Sequence, residues 1–137
     1  MSTERVTTVI QIVAPVDRTW DVMLRHVDRW WPDEMKLLGP TATVSLEPQL
    51  AGRLYEYRPD GSGVLVATVV EIIPEQSLAL QTTASRGMPT AVAVVLEPTA
   101  LAGTALSLTV SGAEVAAWWA RLFEIGLKST VEAPPSA

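Results

Sequence analysis

The sequence predicts a single α+β domain in which a curved antiparallel sheet is covered by one long C-terminal helix. Three observations lead to this fold class. The chain has 137 residues, a length typical of one domain. Apolar, β-branched segments follow one another with only short turns between them, which is typical of an antiparallel meander. The last long segment has the apolar period of a helix, and only the sheet offers a large apolar surface for it to cover.

The N-terminal third predicts a strand followed by a helical segment. Residues 4–13 predict the strand, because β-branched residues dominate them and apolar residues alternate. Ala14-Pro15 then predicts the start of a helix, since proline is tolerated in a first helical turn. An apolar stripe at helical spacing follows, and Pro32 ends it. The stripe consists of Val16, Trp20, Met23, Val27 and Trp31. Residues 32–42 show no period and predict a loop.

Six further segments predict strands, each bounded by proline, glycine or polar turn residues. They are residues 43–47, 52–58, 64–73, 77–85, 90–97 and 104–110. The run Pro59-Asp60-Gly61-Ser62-Gly63 predicts a hairpin turn between the second and the third of these strands. Segments 64–70 and 91–96 are apolar at consecutive positions, whereas a sheet with one solvated face alternates. We therefore expect part of the outer sheet surface to be covered, and a homodimer is the hypothesis for what covers it.

Residues 113–131 predict a long amphipathic helix. Ser111 and Glu114 stand three residues apart, which is typical of a capping box at a helix start. Gly126 lies in the apolar arc, where glycine costs about 1 kcal/mol relative to alanine. Two interpretations of Gly126 stay open: it lets the helix approach the sheet closely, or it lines a cavity. A sheet that bends around one helix leaves space near one end, so we expect a small-molecule pocket between them.

Composition excludes several classes of function. The chain has no cysteine, which rules out disulfides, iron–sulfur clusters and a cysteine nucleophile. His26 is the only histidine, so it is the only candidate imidazole base, although a half-exposed helix histidine is the plainer interpretation. The net charge of −5 argues against a nucleic-acid partner, because phosphate binding needs a basic face. No phosphate-binding loop or catalytic triad is apparent, and we expect no metal and no cofactor.

The sequence predicts neither a signal peptide nor a membrane-spanning segment. The N-terminus has no basic stretch before an apolar run, and the longest uncharged segment is shorter than a bilayer span. We therefore expect a cytoplasmic protein that has no contact with a membrane. Residues 132–137, rich in proline and alanine, predict a flexible C-terminal tail, so the predicted domain spans residues 1–131.

Six residues are candidates for lining the expected pocket: Trp31, Tyr55, Tyr57, Gln81, Trp119 and Gly126. For the two tryptophans, ordinary core packing is the alternative interpretation. Tyr55 and Tyr57 share one strand face. Facing inward, they would form a phenol pair that binds or protonates a ligand oxygen, and facing outward they would pair at the surface. Leu54 argues for the opposite face, and both interpretations stay open. Gln81 and Glu71 are polar residues in apolar strands, and an inward carboxylate would be a general-acid candidate.

Four motifs occur in a distinctive order along residues 6–131. They are Ile12-Val13-Ala14-Pro15 running into Val16-Asp17-Arg18-Thr19-Trp20, Trp30-Trp31-Pro32, the hairpin from Glu47-Pro48 to Asp60-Gly61, and Val69-Val70-Glu71-Ile72-Ile73-Pro74 followed by Gly103-Thr104 and Trp118-Trp119. Together they resemble the SRPBCC (START-like, helix-grip) superfamily. The branch they resemble most is related to the C-terminal domain of the activator of the heat-shock-protein-ninety ATPase and includes polyketide-cyclase-like members. The resemblance implies a β-α-α-β6-α fold with a cavity between the sheet and the long C-terminal helix.

The resemblance does not imply one activity, because such scaffolds host several functions. The leading hypothesis is a protein that binds an apolar or aromatic small molecule in the cavity. A second hypothesis is a polyketide cyclase or dehydratase-like enzyme, which needs an inward acid–base pair such as Tyr55 or Tyr57 with Glu71. A third is an interaction module like the chaperone-ATPase activators. The sequence assigns a catalytic role to no residue.

Overall fold

The computed structural model describes residues 4–83 and 89–133, and its seven strands form one antiparallel sheet in the order β1-β7-β6-β5-β4-β3-β2. The strands are β1 (Arg5–Ile12), β2 (Thr43–Leu46), β3 (Arg53–Tyr57), β4 (Gly63–Ile73), β5 (Ser77–Thr82), β6 (Ala91–Thr99) and β7 (Gly103–Ser111). The helices are α1 (Val16–Arg25), α2 (Val27–Trp30), α3 (Ala113–Arg121) and α4 (Ser129–Glu132), and a π-helical segment, Leu122–Lys128, joins the last two. This is the helix-grip fold, so the predicted fold class is confirmed.

The sheet is a meander in which only the pairing of β1 with β7 joins strands distant in sequence. Two irregularities in register interrupt the ladders, one between Leu54 and Tyr55 in β3 and one between Val69 and Glu71 in β4. A bulge bends its strand and increases the local twist. The two bulges therefore help the sheet to curve around the helical layer.

The helices cover one face of the curved sheet, which we call the inner face, and the core lies between them. Burial alternates along β7, where every second residue from Thr104 to Val110 is at most 1% exposed. The segment 113–132, which we call the C-terminal helix, contributes the other side of the core. Its buried residues include Ala116, Trp119, Leu122, Phe123, Leu127 and Val131. The opposite, outer face of the sheet carries the residues that alternate with the core positions.

The first helical segment is divided into two helices at His26. That residue has φ −126° and ψ 35°, so α1 ends at Arg25 and α2 begins at Val27. The predicted apolar stripe still faces the core on both sides of the break, since Met23 and Val27 are both buried. Periodicity predicted the buried face correctly and did not reveal the change of direction.

The start of the C-terminal helix differs from the sequence prediction. Ser111 and Glu114 do not form a capping box: Ser111 belongs to β7, and α3 begins after Gly112 without a side-chain cap. The hydroxyl of Thr90 donates a hydrogen bond to the Ser111 carbonyl oxygen, which holds Ser111 in the sheet. Gly112 makes the turn with φ +111°, a backbone conformation that favours glycine.

The strand boundaries agree with the predicted ones to within two residues, except for β5. The end of its predicted range, residues 84 and 85, lies outside the described residues, as do residues 134–137 of the predicted tail. Glu132, the first residue of that predicted tail, belongs to α4. Its Oε2 accepts hydrogen bonds from the Val13 backbone N–H and the Lys128 Nζ, both at 2.7 Å. Across the described ranges, no helix is long and apolar enough to cross a membrane.

Candidate functional site

An aromatic cluster lies where the end of α2 meets the C-terminal helix. It consists of Trp30, Trp31, Trp118, Trp119 and Phe123. Trp31 is its centre: its ring lies 6.0 Å from that of Trp118 and 6.3 Å from that of Trp119, both in edge-on geometry. Such contacts stabilise by about 0.5–1.5 kcal/mol beyond the burial of area. The fold thus concentrates four of its five tryptophans at one place.

Trp31 carries the one unusual polar atom of the cluster. Its side chain is buried, with 3% of the residue exposed, and its Nε1 has no hydrogen-bond partner among the described residues. The neighbouring Trp30 is equally buried, but its Nε1 donates to the Met23 carbonyl oxygen at 3.2 Å. An unpaired buried donor costs about 1–3 kcal/mol, and native proteins pair nearly all such groups. The indole N–H of Trp31 is therefore free to bind an acceptor that the described residues do not supply.

The aromatic cluster extends to the surface at Trp118. Trp118 is only partly buried, whereas Trp119, whose ring lies 5.1 Å away at 85°, is 3% exposed. Adjacent residues on a helix point about 100° apart, so the two rings face different surroundings. Trp118 thus stands between solvent and the buried ring of Trp31.

Gly126 lies in the π-helical segment, directly against the chain that leaves α2. A Cβ atom at this position would lie 2.2 Å from the Trp30 carbonyl oxygen and 3.2 Å from the Pro32 Cδ. This geometry supports the first interpretation of Gly126, a close approach of two backbones. The neighbour it approaches is the end of α2 rather than the sheet. Gly126 therefore sets the distance between the two halves of the aromatic cluster.

Tyr55, Tyr57 and Gln81 lie on the outer face of the sheet. Leu54 and Glu56, which alternate with the tyrosines along β3, are 2% and 0% exposed on the inner face. The tyrosine rings are 5.7 Å apart, and Tyr57 is 41% exposed. Gln81 is exposed on β5, next to the buried Leu80 of the inner face. The structure therefore brings Trp31 and Trp119 together with Gly126 nearby, but it does not bring the other three candidates to the same place.

The acid–base pair considered for a cyclase-like enzyme does not lie in the interior. Glu71 is exposed on β4, and its partner in the sheet, Ala79, lies on the outer face of β5. Glu71 and the two tyrosines therefore face away from the helices. In the part of the chain that the structure describes, no group of three histidine, cysteine or acidic residues has the arrangement of a metal site.

Sequence reasoning missed one buried carboxylate, that of Glu56. The residue is 0% exposed, and its two oxygens accept hydrogen bonds from the backbone N–H groups of Leu37 and Leu38 at 2.8 and 2.9 Å. Because Glu56 alternates with the two tyrosines, an outward position for the tyrosines already implied an inward position for Glu56. The contact fastens the loop after α2 to the inner face of β3.

Comparisons with known proteins support the fold and leave the family open. Neither protein-family models nor curated proteins give a match to this sequence. Among solved structures, the protein MLL2253 from Mesorhizobium loti has a TM-score of 0.70 at 18% identity, covering 97% of this chain and 100% of its own. The Aha1 dimer from Colwellia psychrerythraea has a TM-score of 0.69 at 18% identity, with coverages of 97% and 99%. CalU16 from Micromonospora echinospora has a TM-score of 0.66 at 16% identity, with coverages of 99% and 88%.

Identities this low show a common fold and nothing finer. These three structures span nearly the whole of this chain, which agrees with the helix-grip architecture described above. The class of protein defined by fold and site is therefore a helix-grip domain with an aromatic cluster between its short and long helices.

Proposed function

We propose that this protein binds an apolar, aromatic small molecule between its sheet and its C-terminal helix, next to the aromatic cluster. The single observation that carries the proposal is the buried, unpaired Nε1 of Trp31. A ligand with a carbonyl or similar acceptor oxygen would receive this hydrogen bond and remove the cost of leaving the donor unpaired. The aromatic rings around it would supply contact area, which is the main driving force for an apolar ligand.

Access to Trp31 would pass Trp118, the partly buried member of the cluster. The ligand would lie against the ring faces and edges of the cluster, where aromatic contacts favour a flat guest. The difference between Trp30 and Trp31 sets the orientation that we expect for the ligand. Trp30 already donates to the Met23 carbonyl oxygen, so of these two neighbours only Trp31 has an indole N–H left for the ligand.

The test compares two probes of nearly the same shape, 2-acetylnaphthalene and 2-ethylnaphthalene. Only the first carries an acceptor oxygen, so we expect it to bind about tenfold more tightly, as one satisfied buried donor allows. Its binding is followed by tryptophan fluorescence, and the indole N–H signal of Trp31 in an NMR spectrum is expected to move downfield. Equal affinities for the two probes, or no saturable binding of either, would contradict the proposal.

Two variants assign the effect to Trp31. Trp31→Phe keeps an aromatic ring and removes the donor, so the preference for the acetyl probe is expected to vanish. Trp20→Phe is the control, because Trp20 is a partly buried tryptophan of α1 outside the aromatic cluster. A preference that survives in Trp31→Phe would show that another group binds the acceptor.

We also propose that a second copy of the chain covers the outer face of the sheet. The large apolar side chains exposed there include Leu65, Val70, Ile73 and Val95, by 37–52%. Ile73 and Val95 both pair with Ser77, so they lie two strands apart on either side of this small residue. Exposed apolar side chains gathered on one sheet face are typical of protein interfaces. The similar Aha1 structure is a dimer, which makes a second copy the favoured occupant.

Sedimentation velocity at micromolar concentration tests the assembly. We expect a dimer for the unchanged protein and a monomer for Val95→Lys, since an interfacial ammonium without a partner is costly to bury. Leu101→Lys is the control, because Leu101 is fully exposed at the tip between β6 and β7. A monomer for the unchanged protein, or a dimer that Val95→Lys leaves intact, would contradict this assembly.

A further inference from the structure

A groove of about 490 Å³ lies between the α1–α2 corner and the edge strand β2, away from the aromatic cluster. Its lining residues come from two stretches, 24–29 and 44–48. Four apolar residues, which we call its floor, are among them: Leu24, Val27 and Val44, each at most 5% exposed, and the partly buried Leu46. The volume lies within the range of roughly 300–1,000 Å³ that small-molecule sites occupy.

Basic groups line the rim of the groove, although the chain as a whole is acidic. Arg25 and Arg29 both line it, and His26 lies between them at the helix break. The guanidinium of Arg25 lies 3.3 Å from the Asp21 carboxylate, and the His26 Nε2 is 3.5 Å from the same side chain. Arg29 is exposed and makes no ion pair with any residue of the described ranges. The rim therefore has one guanidinium available to an anion.

The acidic residue in the groove is already engaged. Asp28 Oδ1 accepts a hydrogen bond from the Val44 backbone N–H at 2.9 Å and lies 3.8 Å from the Lys36 ammonium. The contact to Val44 also occupies one backbone N–H at the open edge of β2, which a further strand would need for pairing. A peptide strand is therefore a poorer fit than a compact ligand.

We propose that this groove binds a small apolar carboxylate, independently of the interior site. The hydrocarbon part would lie on the floor formed by residues of α1, α2 and β2, and the carboxylate would pair with the Arg29 guanidinium. A planar guanidinium binds a carboxylate through two parallel hydrogen bonds, which gives the pair a defined geometry. The contrast between the rim and the net charge of −5 for the whole chain supports an anionic ligand at this place.

Three probes separate the contributions of charge and apolar area: octanoate, octanol and acetate. Octanoate has both features, octanol lacks the charge, and acetate lacks the chain. We expect saturable binding of octanoate, with chemical shift changes at the backbone amides of Ser45 and Leu46, and weaker binding of the other two. Equal binding of octanol would show that the basic rim is not used, and equal binding of acetate would show that the floor is not used. Either result would overturn the proposal.

Variants of exposed arginines complete the test. Arg29→Gln is expected to weaken octanoate binding about two- to fivefold, the effect of one solvent-exposed ion pair. Arg121→Gln is the matched control, since Arg121 is also exposed on a helix but does not line the groove. Unchanged binding in Arg29→Gln would overturn the proposal. Shifts confined to the tryptophan indole signals would overturn it too and would assign the ligand to the interior site instead.

Discussion

A Cβ atom on Gly126 would lie 2.2 Å from the carbonyl oxygen of Trp30, a separation that no real side chain reaches. The C-terminal helix therefore approaches α2 as closely as two backbones permit. The atom in the way is part of the main chain, so a side-chain rotation cannot relieve the contact. Trp30 and Trp31 can lie against the C-terminal helix because Gly126 has no side chain.

Gly126→Ala is expected to destabilise the protein by about 1–3 kcal/mol, because the helix must move away from Trp30. In an open helical position the same change would stabilise by about 1 kcal/mol, so the sign of the effect is diagnostic. Urea unfolding measures the difference, with Ser129→Ala at an exposed position of α4 as the control. An unchanged or higher stability of Gly126→Ala would mean that the two backbones are farther apart in solution.

The fold class could be predicted from the sequence, because turn residues and apolar periodicity depend only on residues that are close together in the chain. Proline and glycine bound the strands, and alternation marks their buried faces. Leu54 favoured an outward position for the tyrosines, and alternation then places Glu56 on the inner face, but the sequence left both positions of the tyrosines open. The π-helical segment and the break at His26 could not be predicted from the sequence, because they depend on contacts between α2 and the C-terminal helix.

The candidate site was predicted only in part, for a similar reason. Trp31 and Trp119 fall on the apolar periods of the two predicted helical segments, and the structure brings them together. Whether the Nε1 of a buried indole finds an acceptor depends on which carbonyl groups lie within reach, and no sequence period encodes that. Trp30 and Trp31 are neighbours in the chain, yet only the Nε1 of Trp30 has a hydrogen-bond acceptor among the described residues.

Replacing each of the two neighbouring tryptophans by phenylalanine should therefore lower the free energy of unfolding by different amounts. Trp30→Phe loses a hydrogen bond as well as ring volume, whereas Trp31→Phe loses ring volume and removes an unpaired donor. Because the two residues are 4% and 3% exposed, we expect Trp30→Phe to be the more destabilising by about 1–2 kcal/mol. Urea unfolding of both variants measures the difference. An equal or larger cost for Trp31→Phe would indicate that its N–H has a partner within the folded chain.

Glu56→Gln is expected to destabilise by about 1–3 kcal/mol. The carboxylate accepts from two backbone N–H groups, but an amide has one acceptor oxygen, so either Leu37 or Leu38 would lose its partner. Hydrogen exchange at these two amides should become faster, which reports on the loop directly. Glu71→Gln is the control, since Glu71 is exposed on the outer face and its change should stay within about 0.5 kcal/mol. Unaltered exchange at both amides would contradict this role for Glu56.

Because of the surface pair of Glu47 and Arg53, the stability of the folded protein should depend on pH in the acid range. The Arg53 Nε and Nη2 donate to the two carboxylate oxygens at 2.9 and 3.0 Å, and its backbone N–H donates at 2.8 Å. The Arg53 side chain is the main cause that lowers the pKa of Glu47 from 4.5 to about 2, and its backbone N–H is the second. Since the folded-state pKa lies below the ordinary value, the pair stabilises the folded state fully above pH 4.5. This stabilisation is lost as the pH falls towards about 2.

An NMR titration of the Glu47 side-chain carboxyl carbon tests this relationship. We expect Arg53→Gln to raise the pKa of Glu47 towards 4.5 without reaching it, because the backbone N–H of residue 53 still donates to the carboxylate. Arg121→Gln on the C-terminal helix serves as the control and should leave the Glu47 titration unchanged. A midpoint near 4.5 in the unchanged protein would show that the bidentate pair is not formed in solution. Stability should respond in the same pH interval, since protonating Glu47 removes the negative charge that strengthens both side-chain hydrogen bonds.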